Sequence, residues 1–106
     1  PLRRAAEAQA GQVGLEAGAP FLRLDAWLWH ARLGKTKGAC ARMVEAGGFR
    51  LNRQPATKAH ARVRVGDVLT FARGDAVVVW RVLALGERRG PASEARMLYE
   101  EIRDEG

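Results

Sequence analysis

The sequence predicts an α+β fold, with two N-terminal helices packed on a small, mostly antiparallel sheet and a C-terminal helix after it. Three observations predict this. Apolar residues recur at helical spacing in two short runs, 24–33 and 37–46. Between Phe49 and Leu85 the pattern changes to short alternating segments separated by Gly, Asn and Asp. Helical spacing then returns after Pro91. With 106 residues, 47% of them apolar, the chain has room for one core and one domain.

Taken in order, residues 1–21 are rich in Ala, Gly and Glu and short of large apolar groups, which predicts a flexible tail with at most a transient helix. Leu24, Trp27, Leu28 and Ala31 form one apolar stripe, with Asp25 suited to the positive end of the helix dipole and Gly34 expected to end the helix. Ala26, Trp29 and Leu33 lie nearly opposite, so a second element must cover that side; Trp29 either stacks on a base or packs on a neighbouring element, and packing is the expectation because the C-terminal helix is available. Thr36 is a suitable N-cap for the second helix. Its apolar face is Ala39, Cys40, Met43 and Val44, and Gly47-Gly48 ends it. Phe49 and Leu51 flank Arg50 in a first strand, and Asn52 begins a turn. Arg62-Val63-Arg64-Val65 alternates, Gly66-Asp67 reads as a turn, and Val68 to Phe71 as a further strand. Arg73-Gly74-Asp75 closes a hairpin to Val77 to Leu85. After a polar loop, Ala95, Leu98, Tyr99 and Ile102 lie on one helical stripe. The division that follows is a tail at 1–21, a main domain at 22–88 and a helical extension at 89–106.

Charge narrows the function. The chain carries +6 overall. Arg23, Arg32, Lys35, Lys37, Arg42, Arg50, Arg53, Lys58, Arg62 and Arg64 face only Asp25 and Glu45 between residues 23 and 66, a local excess of +8. The last 14 residues, 93–106, are net −3. A positive field this concentrated exceeds what solubility needs and implies a polyanionic partner. A membrane surface fits poorly, because the basic residues are spread over helices and strands and not gathered on one amphipathic helix.

Enzyme chemistry finds no support. There is no paired-acid site, no Gly-rich nucleotide loop and no Ser/His/Asp set. His30 and His60 stand alone without metal-ligand spacing, so neither metal nor cofactor is expected. The single cysteine, Cys40, lies on an apolar helix face and reads as a small core residue in a reducing compartment. No apolar run approaches the ~20 residues of a membrane span, and the first 22 residues lack the core of a signal peptide. A cytoplasmic monomer is the expectation.

Several motifs are familiar. The run Arg23-Leu24-Asp25-x-x-Leu28, Thr36-Lys37, Met43-Val44-x-x-Gly47, Phe49-x-Leu51-Asn52 and Gly66-Asp67 resembles the RNA-binding domain of ribosomal protein S-four, the alpha-L motif, over about residues 22–71. Two further segments, Arg23-Leu24-Asp25-x-Trp27-Leu28-Trp29 and Pro91-Ala92-Ser93-Glu94-Ala95 to Tyr99-Glu100-Glu101, look like the ribosome-associated fifteen-kilodalton heat-shock family. That resemblance implies a protein that binds the free large ribosomal subunit, notably one stalled with a nascent chain on transfer RNA, and helps return it to use. The chain departs from the family pattern at Arg53 and Ala26, where Gly and Lys are usual, and at Gly48, where Lys is frequent.

Two short helices and a β-turn can present several cations on one rigid face, and A-form RNA is read mainly through its backbone and exposed loops. The expected RNA contacts are Arg23, Arg32, Lys35, Thr36, Lys37 and Arg42 from the helices, with Asn52, Arg53, Gln54 and Lys58 from the turn and the strand after it. Arg and Lys neutralise phosphates, whereas Thr36, Asn52 and Gln54 hydrogen-bond sugar or backbone oxygens. Arg88 and Arg89 are open between RNA contact and a solvated loop. DNA is the nearest other polyanion. The competing readings are an RNA-binding domain cut from an RNA-modification enzyme such as a pseudouridine synthase, and a protein-interaction module using the two-sided first helix.

Overall fold

The computed structural model describes residues 14–16 and 19–102. Two antiparallel sheets frame the chain. Strands β1 (Gly14–Glu16), β2 (Ala19–Arg23) and β5 (Arg62–Val63) form a three-stranded sheet. The larger sheet has the order β4-β3-β6-β7-β8, with β3 (Arg50–Leu51), β4 (Gln54–Pro55), β6 (Val68–Arg73), β7 (Ala76–Val82) and β8 (Tyr99–Glu101). Helices α1 (Leu24–His30) and α2 (Lys37–Glu45) pack on each other, and a one-turn helix α3 (Ala92–Ala95) continues into a 3₁₀ turn at Arg96–Leu98. This is the α+β fold expected, C-terminal helix included.

The apolar stripes bury as their spacing requires. Leu24, Trp27, Leu28, Cys40 and Val44 are fully enclosed and meet Val63, Leu69, Trp80 and Leu85 in one core. An aromatic chain runs through it. Phe49 stacks on Phe71, Phe71 meets Trp80 edge-on, and Trp27 meets Trp80 edge-on at 6.2 Å. Trp29 is half-buried against the same core. Cys40 behaves as the core residue expected. Its Sγ sits where a side chain at Gly34 would go, 2.7 Å from an ideal Cβ, and burial raises the thiol pKa.

Three local expectations change. The tail expected to hold no more than transient helix contains β1, and β2 begins at Ala19; β2 pairs with β5, opposing Leu22 to Val63. The rest of that tail lies outside the described residues. Helix α1 stops at His30, before the expected Gly34. Arg32 takes the left-handed conformation (φ 65°), Arg32 N–H donates to Trp29 O, and Leu33 N–H donates to Leu28 O. This is a Schellman stop with arginine in the glycine position. The turn expected at Gly66-Asp67 is present, with Asp67 N–H donating to Arg64 O at 3.1 Å, and it leads from β5, paired with β2, to β6, paired with β3 and β7. Finally, the helical stripe ends at Leu98. Tyr99 opposes Val82 in β8 and stacks on Trp80. The free edge of β7 outcompetes a further helical turn, since Tyr and Ile favour strands.

The turn joining β3 to β4 has two residues, Asn52 and Arg53, with φ of 53° and 72°. Positive φ at both positions is the hairpin geometry that Asn-Gly normally supplies. The chain therefore keeps the turn and accepts the strain of a left-handed arginine. Asn52 anchors it, since Asn52 Oδ1 accepts the Val68 N–H at 2.9 Å and Nδ2 donates to Asp67 Oδ1 at 3.0 Å. We expect Arg53→Gly to raise unfolding free energy by about 1 kcal/mol, the cost of a left-handed non-glycine residue. A urea midpoint that does not rise would show the turn to be unstrained.

Candidate nucleic-acid interface

The corner between α1 and α2 gathers the largest group of candidate residues. Local sequence builds it. The Arg32 stop turns the chain, and Thr36 caps α2 by accepting the Ala39 N–H at 2.9 Å through Oγ1. Lys35, Thr36, Lys37 and Arg42 are exposed. The Arg42 guanidinium folds back over the start of α2. Its Nη1 lies 3.6 Å from an ideal Cβ on Gly38, and Thr36 Oγ1 lies 4.0 Å from the same point. The Arg42 guanidinium therefore lies beside the backbone amides of the first helical turn, whose partners within a helix are missing, and Lys35 and Lys37 flank Thr36 in the chain. Among the described residues, Lys35, Lys37 and Arg42 have no ion pair.

Other candidates are placed differently. Arg23 makes a two-pronged pair with Asp25, Nε to Oδ1 at 3.1 Å and Nη2 to Oδ2 at 2.9 Å. Asp25 is only 3% exposed and also accepts the Ala26 N–H, so Arg23 compensates a buried carboxylate before it meets any ligand. Arg32 reaches across the chain, and its Nη1 donates to Gly90 O at 2.7 Å. Asn52 is occupied with Asp67 and Val68, as described above. Arg53, Gln54 and Lys58 are exposed on and after the hairpin turn. No hydrogen bond or ion pair among the described residues ties that hairpin to the α2 corner. The ten residues thus fall into a compact helix corner, a separate turn, and two arginines with structural partners.

Residues 22–69 match the S4 domain family. Heat shock protein 15 of Escherichia coli is 41% identical over 86 residues, covering 81% of this chain and 64% of that protein. The Haemophilus influenzae homolog is 39% identical over 80 residues, covering 76% and 60%. A trimeric structure of Vibrio cholerae Heat Shock Protein 15 superposes with a TM-score of 0.71 at 34% identity, over 77% of this chain and 82% of that one. The chain belongs to the heat shock protein 15 family. It spans less than two thirds of the length of the Escherichia coli and Haemophilus influenzae relatives.

For a heat shock protein 15 chain, two features escaped the sequence reading. The first is Arg89, left undecided on sequence, whose Nη2 lies 3.4 Å from Gly34 O at the helix corner. The second is Phe21, which lines an open groove with His60, Ala61, Arg62 and Arg64 and carries the Arg62 guanidinium 5.1 Å from its ring centre. Residue spacing alone signals neither, because each depends on a contact across many intervening residues.

Proposed function

We propose that this chain binds structured ribosomal RNA of the large subunit, through the α1–α2 corner, with the Asn52–Arg53 turn and Lys58 as a second contact. The observation that carries this reading is the set of cations at the start of α2 that have no carboxylate partner among the described residues, beside the open end of a capped helix. Other arginines among the described residues do have such partners: Arg81 pairs with Glu100 and Arg88 with Glu94. Phosphates supply the missing counter-charge, and neutralising them releases counterions, so affinity falls steeply with salt. If ~6 phosphates are engaged, the log–log slope is about −4 to −5.

The same reading assigns the chain to recycling or rescue of stalled large subunits in the cytoplasm, with transfer RNA bearing a nascent chain as a further partner and no catalytic step of its own. Similarity to heat shock protein 15 supports it, and no helix among the described residues is long and apolar enough to cross a membrane. The monomer expectation gives way to self-association: the Vibrio cholerae relative is trimeric, and Val65, Leu83 and Met97 are large apolar side chains left exposed here.

Gradient co-sedimentation of the tagged protein with cell extract tests the proposal, at low and high salt and with or without ribonuclease. Salt-sensitive migration with the free large subunit is expected. Protein that stays at the top of the gradient in every condition would sink the ribosome assignment.

A further inference from the structure

The loop before α3 returns to the helix corner from the far end of the chain. Arg32 Nη1 donates to the buried Gly90 O at 2.7 Å, and Arg89 Nη2 makes a long hydrogen bond to Gly34 O at 3.4 Å. These contacts cross 58 and 55 residues. The Nε of Arg89 is enclosed and has no hydrogen-bond partner among the described residues. No described carboxylate pairs with Arg89, whereas its neighbour Arg88 holds Glu94 at 3.0 Å. Among the described residues, Arg89 is therefore half-removed from water with one weak bond and no counter-charge. Burying a cation in this way is costly unless an anion is supplied. Unsatisfied buried polar atoms are rare enough in folded proteins to need a cause.

The position suggests the anion. Gly34 O immediately precedes Lys35-Thr36-Lys37, the entry to the nine-residue helix α2, with Arg42 folded over Gly38. We infer that Arg89, carried to this corner by the C-terminal loop, is a phosphate ligand of the RNA interface, and that Arg32 is the positioning residue that clamps the loop. The inference rests on the RNA reading above and extends it, since it makes the segment after the sheet part of the binding face. Arg32 thereby changes role. Its left-handed backbone turns α1 toward the corner, and its guanidinium is committed to Gly90 O.

A purely structural peg at Arg89 would affect stability and leave counterion release unchanged, so the salt slope is the deciding readout. Filter binding to purified large-subunit ribosomal RNA is measured over a range of salt for the wild-type chain, Arg89→Gln, Arg89→Lys and Arg88→Gln. Arg89→Gln is expected to weaken binding about fivefold to tenfold and to flatten the log–log slope by about 0.7, the loss of one phosphate contact. Arg89→Lys restores most of the slope, and Arg88→Gln changes neither quantity. A wild-type slope in Arg89→Gln overturns the inference, as does an equal effect in Arg88→Gln. Should Arg89→Gln fail to fold, the Arg89 Nε–H resonance of the wild-type chain is followed by nitrogen-15 NMR during RNA addition. A shift supports the contact and an unchanged signal overturns it. Wild-type protein that does not bind the RNA removes the functional reading itself, an outcome distinct from normal binding that ignores Arg89.

Discussion

Replacing Lys35, Lys37 and Arg42 together with alanine will reduce affinity for large-subunit ribosomal RNA by at least about 100-fold at physiological salt and leave the fold intact. The three side chains are exposed and make no ion pair among the described residues, so their removal breaks no internal contact that stabilises the core. Each charge-assisted contact to a phosphate is worth roughly 1 kcal/mol or more, and three of them combine to two orders of magnitude or beyond. The salt slope should flatten by about 2 to 3, because three fewer counterions are released. Thermal unfolding should move little. Arg32 is left out of this set because its bond to Gly90 O makes an alanine there a test of the clamp on the loop. Unchanged affinity in the triple variant would mean that the RNA is held elsewhere, with the hairpin turn around Arg53 the next surface to alter.

What the sequence made legible was local. Thr36 announced the start of α2 because an N-cap needs only its own side chain and the next three residues, and the structure places that hydrogen bond at 2.9 Å. The stripes of Trp27, Leu28, Cys40 and Val44 pointed inward because helical spacing fixes direction. Legibility failed where a distant partner decided the outcome. Arg32 is a poor residue for a left-handed stop, and its bond to Gly90 from a loop 58 residues away helps to hold it there. Tyr99 and Ile102 fit the 3.6-residue period that also marks Ala95 and Leu98. Nothing local reveals that β7 has an open edge and that Trp80 offers a stacking face. In the candidate site, charge alone could not separate Lys37, which has no ion pair among the described residues, from Arg23, which is bound to a buried Asp25. Residue type gives the charge, and only the fold gives its partner.

The largest loss of stability will come from Trp27→Ala, by about 3 to 5 kcal/mol. Trp27 is fully buried at the centre of the core, edge-on to both Trp80 and Tyr99. Its Nε1–H donates to Ala84 O at 2.9 Å, tying α1 to the chain just beyond β7. Truncation opens a cavity among residues held by both helices and the sheet, and surrounding side chains cannot close it fully. A domain of this size is stable by only about 5 to 15 kcal/mol, so the loss consumes much of the margin. Trp27→Phe separates the two contributions. It keeps an aromatic ring in the core and removes the donor, leaving the Ala84 carbonyl without that partner at a cost of about 1 to 3 kcal/mol. Urea denaturation of the three proteins measures both steps. If Trp27→Phe costs as much as Trp27→Ala, the hydrogen bond to Ala84 dominates, and the join between α1 and the sheet is polar in origin. If Trp27→Phe is nearly neutral, ring packing dominates. In either case the consequence reaches the candidate site, because the segment that Trp27 secures at Ala84 continues through Gly86 to Arg89 and Gly90, the residues that close on the α1–α2 corner.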